Sequence, residues 1–179
     1  DRVLALTTLH HDMAVFDLFG VLAAGGTLVM PDEGSRRDPA RWAALMVGER
    51  VTLWNSVPAM MEMLLEHWAQ TGDGGAWPPC ADLRLVFLGG DWISLSIPPR
   101  LAAAAPGAQL VSVGGPTETT LWNIWYPVTQ FDPTWKSVPY GRPIANTHYY
   151  IFDEALADRP VWTPGEIYCG GAGVARGYW

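Results

Sequence analysis

The chain has 179 residues, 49% of them apolar and 16% charged, enough for a sizeable core and too apolar for disorder. A net charge of −7 and a pI near 4.9, with no basic stripe, argue against nucleic-acid binding. No apolar run approaches the ~18 residues of a membrane span. Only two distant cysteines occur, Cys80 and Cys169, so no disulfide framework is expected and a reducing, cytoplasmic compartment is. The N-terminus has neither Met nor a signal pattern, and the chain reads as a piece of something longer.

Strands and helices alternate from the start. Residues 3–9 and 27–30 read as strands. Asp38 and Pro39 open a helix as N-cap and first-turn proline, with Trp42, Leu45 and Met46 as its apolar stripe. Residues 51–54 form the next expected strand. Ser56 then reads as the cap of a helix whose Met60, Met61, Leu64, Leu65 and Trp68 fall at helical spacing. A Gly/Pro-rich loop covers 72–79. A strand over 83–88 ends in Gly89 and Gly90, and Ser96 reads as the cap of a short helix through Ala105. The strand 110–113 follows, and this order implies a parallel, helix-covered sheet of the α/β class. After about Pro133 short alternating runs, 148–152 and 166–169, predict a small antiparallel, barrel-like appendage. The expected division is therefore an α/β subdomain over 1–132 and an incomplete β-barrel-like subdomain over 133–179.

The strand 110–113 breaks into Gly114-Gly-Pro-Thr-Glu-Thr-Thr120. Glycines at a strand's carboxyl end let backbone N–H groups approach an anion, hydroxyls donate to phosphate, and a carboxylate can hold Mg²⁺. By itself this is also what a threonine-rich helix start after a turn looks like. Asp12, Asn55, Gly89-Gly90 and Gly114–Glu118 each fall just past a different expected strand. That places four polar or glycine-bearing ends on one sheet edge, where a site is expected.

Four stretches carry a resemblance that spans essentially the whole chain. They are Asp12-Met-Ala-Val-Phe-Asp-Leu-Phe-Gly20 with Leu22-Ala-Ala-Gly-Gly26; Gly114-Gly-Pro-Thr-Glu-Thr-Thr120; Tyr140-Gly-Arg-Pro-Ile-Ala-Asn146; and Pro164 through Trp179. In this order the chain resembles the middle of an adenylation domain of a nonribosomal peptide synthetase, in the adenylate-forming superfamily. The resemblance implies an enzyme that condenses an amino acid with ATP, using Mg²⁺, to an aminoacyl-adenylate. It then passes the acyl group to the phosphopantetheine thiol of a carrier-protein domain, in synthesis of the antibiotic or siderophore kind. A small accessory activator protein is left open as a further partner.

By the same resemblance Asp12 holds the substrate α-ammonium, which suits a buried ammonium's need for a paired charge. Glu118 is the Mg²⁺ ligand, Thr117 contacts phosphate, and Gly89, Gly90 and Ser112 wall the adenine, beside the Gly114-Gly115 backbone. The chain departs from the pattern at Gly114, where many relatives carry an aromatic ring over the purine. Stacking is then weaker or comes from elsewhere, with Trp92 as one source.

The side-chain pocket maps to Met13, Phe16, Asn55, Phe87, Gly89, Val113, Leu121 and Trp122, with Asp12 at its mouth. Three aromatic rings leave room for a small to medium side chain, and Asn55 is the single polar position. The set resembles pockets that select cysteine, whose thiol suits an apolar lining. Met13, Gly89 and Val113 depart from the commonest such set, so serine, alanine or an S-modified cysteine stay open. An acyl-CoA or aryl-acid ligase of the same superfamily is the alternative, and Asp12 discriminates, since a ligand without an ammonium gains nothing from a carboxylate there. The phosphate loop expected before Asp1, and the ribose-binding Asp, hinge and catalytic Lys expected after Trp179, fall outside these residues, which are expected to be inactive alone.

Three rival readings are weaker. Gly171-Ala-Gly-Val-Ala-Arg-Gly177 imitates a dinucleotide loop, but no helix follows and no acidic residue stands ~20 positions on. His10, His11 and Asp12 as a metal site founders if they lie on a strand, whose neighbours face opposite ways. The ten tryptophans read mostly as core rather than as a sugar-binding or partner surface.

Overall fold

The computed structural model describes residues 1–71 and 80–179, so the loop read at 72–79 lies outside the described residues. Next to one edge of its main sheet is β1, Arg2–Leu4, which pairs in parallel with the edge strand β2, Thr27–Val29, on one side and β3, Leu53–Ser56, on the other. Two further parallel strands, β4, Leu85–Leu88, and β5, Gln109–Gly114, extend the sheet. Antiparallel β6, Ile124–Pro127, and β7, Arg142–Pro143, complete the order β2-β1-β3-β4-β5-β6-β7.

The chain steps from β1 to β2, then reverses past β1 to β3. Right-handed crossovers put connections made in opposite directions on opposite faces. The helices α1, Pro39–Gly48, α2, Pro58–Thr71, and α3, Ile97–Ala104, accordingly share one face. The other face carries the π-helical segment Phe16–Val21, over a small cluster of Val3, Val21 and Leu53.

Local chemistry explains the helices. Asp38 caps α1 by accepting from the Ala40 N–H at 2.9 Å, and Trp42 and Met46 fall on its inner face. Met61, Leu64, Leu65 and Trp68 give α2 a buried stripe at i, i+3, i+4 and i+7. Each such side chain, once buried, contributes about 1.5–3 kcal/mol. Trp42 also meets Trp54 edge to face, with centroids 6.0 Å apart and both rings inaccessible to solvent.

Several boundaries differ from expectation. β1 stops at Leu4 because Thr7 through Asp12 is too polar to continue a buried strand; it folds into turns, with His11 N–H donating to the Thr8 carbonyl at 2.9 Å. β3 lies two residues later than read and takes in Asn55 and Ser56. Ser56 is therefore no helix cap: its hydroxyl donates to the Val57 carbonyl at 2.9 Å and accepts from the Trp54 indole at 2.7 Å. Ser96 makes no capping bond either, its hydroxyl lying 2.8 Å from that of Ser94, and prolines in the first turn start α3.

Beyond β7, β8, Thr147–Phe152, and β9, Glu166–Gly171, form a separate two-stranded antiparallel sheet. Residues past 133 thus serve both sheets. The tryptophans are less central than expected. Trp42, Trp54 and Trp68 are core, whereas Trp92, Trp125, Trp162 and Trp179 are exposed. Among the described residues no helix is long and apolar enough to cross a membrane.

Candidate active site

A cleft of about 520 Å³ opens at the carboxyl ends of the strands, near the reversal of strand order where α/β sheets bind ligands. It brings together Asp12, Met13, Gly90, Gly114, Gly115 and Thr117, with Leu121 and Trp122 at one wall. Three of the four expected elements line it, and the fully buried Asn55 does not. Gly89 directly follows β4 and Gly114 ends β5, but Asp12 lies eight residues beyond β1, and Asn55 sits within β3.

The half-buried Asp12 is engaged at both oxygens. Oδ2 accepts from the Thr117 hydroxyl at 2.5 Å, and Oδ1 lies 3.1 Å from His11 Nδ1. His10 and His11 also line the cleft. The objection that strand neighbours diverge does not apply to them, because they lie in a turn. Among the described residues, however, no group of three or more His, Cys, Asp or Glu is placed to hold a metal.

Below this mouth lies a buried polar pair. The Asn55 amide donates to Asp17 Oδ1 at 2.9 Å and to the Met13 carbonyl at 3.3 Å. Asp17 Oδ2 and Asn55 Oδ1 are buried without hydrogen-bond partners. Burial pushes the Asp17 carboxyl up to about 6, and the Asn55 amide pulls the other way. Sequence reasoning passed over Asp17. Its signal was there: a single carboxylate within the apolar run Ala14 to Phe19. Asn55 is thus committed to Asp17 and the Met13 backbone.

Phe16, Phe87 and Trp122 form one aromatic cluster, with centroids 4.6–5.4 Å apart. Trp122 faces the cleft, while Phe16 and Phe87 stand behind it and line a second cavity of about 220 Å³. Gly89 and Val113 are packed together: a Cβ on Gly89 would lie 2.6 Å from the Val113 carbonyl oxygen. Ser112 is buried within β5, opposite Leu88.

The loop after β5 turns through a 3₁₀ segment, Thr117–Thr119, and is tied down from two directions. Buried Asn123 donates to the Thr119 hydroxyl and accepts from the Tyr149 hydroxyl of β8. From the C-terminal side, Ala175 N–H donates to the Glu118 carbonyl at 2.7 Å and the Tyr178 hydroxyl to Glu118 Oε1 at 3.0 Å. The glycine triplet at 171–177 thus runs back onto this loop, with no helix after it. Glu118 follows Thr117 directly in the 3₁₀ segment, is exposed, and does not itself line the cleft. One carboxylate beside phosphate oxygens is the usual protein share of a Mg²⁺ site, so this donor set fits such an ion. Trp92 is 77% exposed and does not line the cleft.

A mixed sheet with its cleft near the switch point, glycine backbone and Thr117 on one side and a carboxylate on the other, is a ligand-binding α/β fold. The AMP-binding enzyme family matches residues 1–179. The chain is 42% identical over 178 residues to the anguibactin system regulator of Vibrio anguillarum, covering 99% of this chain and 17% of that protein. Among solved structures it is similar to the nonribosomal peptide synthetase FmoA3 (S1046A) in its AMPPNP-bound form, at 47% identity and a TM-score of 0.92, covering 99% of this chain and 19% of that one. A further form of that protein is bound to α-methyl-L-serine-AMP. PA1221, a synthetase protein containing adenylation and PCP domains, matches at 30% identity and a TM-score of 0.83, over 99% of this chain and 29% of that one. The chain belongs to the AMP-binding enzyme family, among the adenylation domains of nonribosomal peptide synthetases. It spans less than a fifth of the length of the curated relatives it matches.

Proposed function

We propose that this chain forms the amino-acid and nucleotide pocket of an enzyme that activates a small amino acid, cysteine first among the candidates. The amino acid carboxylate attacks the α-phosphorus of ATP, the aminoacyl-adenylate forms and pyrophosphate departs. The acyl group then moves to a carrier-protein phosphopantetheine thiol with release of AMP. The observation that carries this reading is the cleft itself, which joins Asp12, suited to an ammonium, to the glycine backbone and Thr117, suited to phosphate.

In this reading Asp12 pairs with the α-ammonium. Thr117 and the Gly114-Gly115 backbone orient the phosphates, and Gly89, Gly90 and Ser112 border the adenine. Glu118 would hold Mg²⁺, which neutralises charge on the triphosphate when bound. Residues 1–132 belong to the α/β subdomain, whose sheet β7 extends, and the barrel-like subdomain begins within 133–179 with β8 and β9. Carrier and accessory proteins are partners of the longer protein, and the cytoplasm is its compartment.

The substrate side chain must be short. Trp122, backed by Phe16 and Phe87, closes one wall, and the fit of Gly89 on Val113 leaves no slack at the other. Asn55 directs its amide away to Asp17, which favours a weakly polar group such as a thiol over a charged one. ATP–pyrophosphate exchange by an enzyme of the relatives' length carrying this sequence tests the reading. Cysteine is expected to outperform serine, alanine, S-methylcysteine and α-methyl-L-serine. Faster exchange with another of these would replace cysteine, and exchange only with acids lacking an amino group would favour the acyl-CoA or aryl-acid ligase alternative.

A further inference from the structure

Position 114 holds a glycine, so strand β5 offers no ring to a purine at the nucleotide side of the cleft. The space is nevertheless not empty. A Cβ placed on Gly114 would lie 2.2 Å from Tyr140 Cε2 and 2.7 Å from its hydroxyl oxygen. The Tyr140 ring therefore fills the volume in which a side chain at 114 would begin. The two positions cannot both carry a ring there.

We propose that Tyr140, reaching in from the segment before β7, supplies the aromatic face against which the adenine of ATP stacks in this chain. This rests on the reading of the cleft as an ATP site. Tyr140 is 48% exposed, so part of its ring stays free for a planar partner after it has covered Gly114. Its hydroxyl lies beside Tyr149, whose own hydroxyl donates to Asn123, the residue that holds Thr119. The ring is thereby fixed to the same loop that presents Thr117 and Glu118.

Backbone geometry holds it from the other side. Gly141 has φ +119°, and a Cβ there would strike the Trp125 carbonyl oxygen at 2.0 Å. Only glycine lets the chain press onto β6 at this point, and that close passage places Tyr140 over Gly114. Neither Tyr140 nor Trp92 lines the cleft directly, but Tyr140 packs on Gly114, which does, whereas Trp92 is 77% exposed. A base stacks on an aromatic face whatever strand that ring comes from.

The test uses an enzyme of the relatives' length carrying this sequence, with ATP and amino acid KM taken from pyrophosphate exchange. Inorganic tripolyphosphate serves as a competitor that has no base. Tyr140→Leu is expected to raise the ATP KM about tenfold, while Tyr140→Phe stays within about threefold of wild type. The amino acid KM and tripolyphosphate inhibition stay unchanged in both. Gly114→Tyr alone puts two rings in one volume and weakens ATP binding, whereas Gly114→Tyr with Tyr140→Gly moves the ring to β5 and restores it. An unchanged ATP KM in Tyr140→Leu overturns the assignment and leaves the ATP site standing. An equal loss toward ATP, amino acid and tripolyphosphate overturns it too, because that is a loosened site rather than a missing stack. If the wild type shows no ATP-dependent exchange with any amino acid, the ATP reading beneath the proposal falls.

Discussion

Thr117 and Asp12, 105 positions apart, meet side chain to side chain across the cleft. One belongs to the proposed phosphate side and the other to the proposed ammonium side. A hydrogen bond between them makes each half of the pocket part of the other's environment, because Asp12 gives up one acceptor oxygen to a hydroxyl that a phosphate would also compete for.

That contact predicts coupled effects. Asp12→Ala is expected to raise the amino acid KM about a hundredfold, the usual scale for removing one member of a desolvated charge pair. Thr117→Val should act mainly on ATP. In a double-mutant cycle of Asp12→Asn and Thr117→Val the two changes should miss additivity by about 0.5–3 kcal/mol. Strict additivity in pyrophosphate exchange would mean that the contact has no energetic role.

Glu118 carries a separate prediction. Glu118→Gln keeps the shape and hydrogen bonding of the side chain but removes its charge. Exchange should fall about a hundredfold or more, with amino acid binding retained by calorimetry. Tyr178→Phe removes only the exposed hydroxyl that donates to Glu118, at 80% side-chain exposure, and should cost less than about threefold. Unchanged turnover in Glu118→Gln rejects the metal-ligand role.

Much of this architecture is legible in the sequence because local patterns and long-range packing agree. Met61, Leu64, Leu65 and Trp68 announce α2, Asp38-Pro39 announces the start of α1, and the glycines after β4 and β5 mark strand ends. The misreadings arose where polar residues serve the tertiary structure instead of the local one. Ser56 looks like a cap but hydrogen-bonds Trp54 inside a strand, and Asn55 looks like a strand-end residue but lies buried in β3 on Asp17. The contact of Tyr140 with Gly114 was invisible for a similar reason. Neither residue signals the other along the chain, and only antiparallel β6 and β7 bring them together.

Gly89 offers a test of packing behind the site. Its absent side chain makes room for the Val113 carbonyl, so Gly89→Ala forces β4 and β5 apart at their carboxyl ends. A loss of about 1–3 kcal/mol is expected, seen as a Tm lower by several degrees. Adding Val113→Ala should not rescue it, because the closest contact is with backbone oxygen, not with the valine methyl. Full rescue would place the conflict in the side chain instead.

The buried Asp17 gives the fold a pH dependence whose sign follows from its environment. Burial raises its pKa from the ordinary 3.8 to about 6, against the Asn55 hydrogen bond. Between those values the folded chain keeps a proton that the unfolded chain releases. The contribution of this group to stability is therefore full below the unfolded value and is lost as pH rises through about 6, a loss of about 3 kcal/mol by linkage. At neutral pH the ionised carboxylate is a buried charge whose Oδ2 has no partner. Asp17→Asn carries no charge at any pH, and its carbonyl can still accept from the Asn55 amide. It should be more stable than the parent by about 1–3 kcal/mol at pH near 8, and by much less at pH near 5. Urea denaturation of both proteins across that interval checks this: the parent's stability relative to the variant must fall with rising pH, and parallel curves would show that Asp17 is not the titrating group.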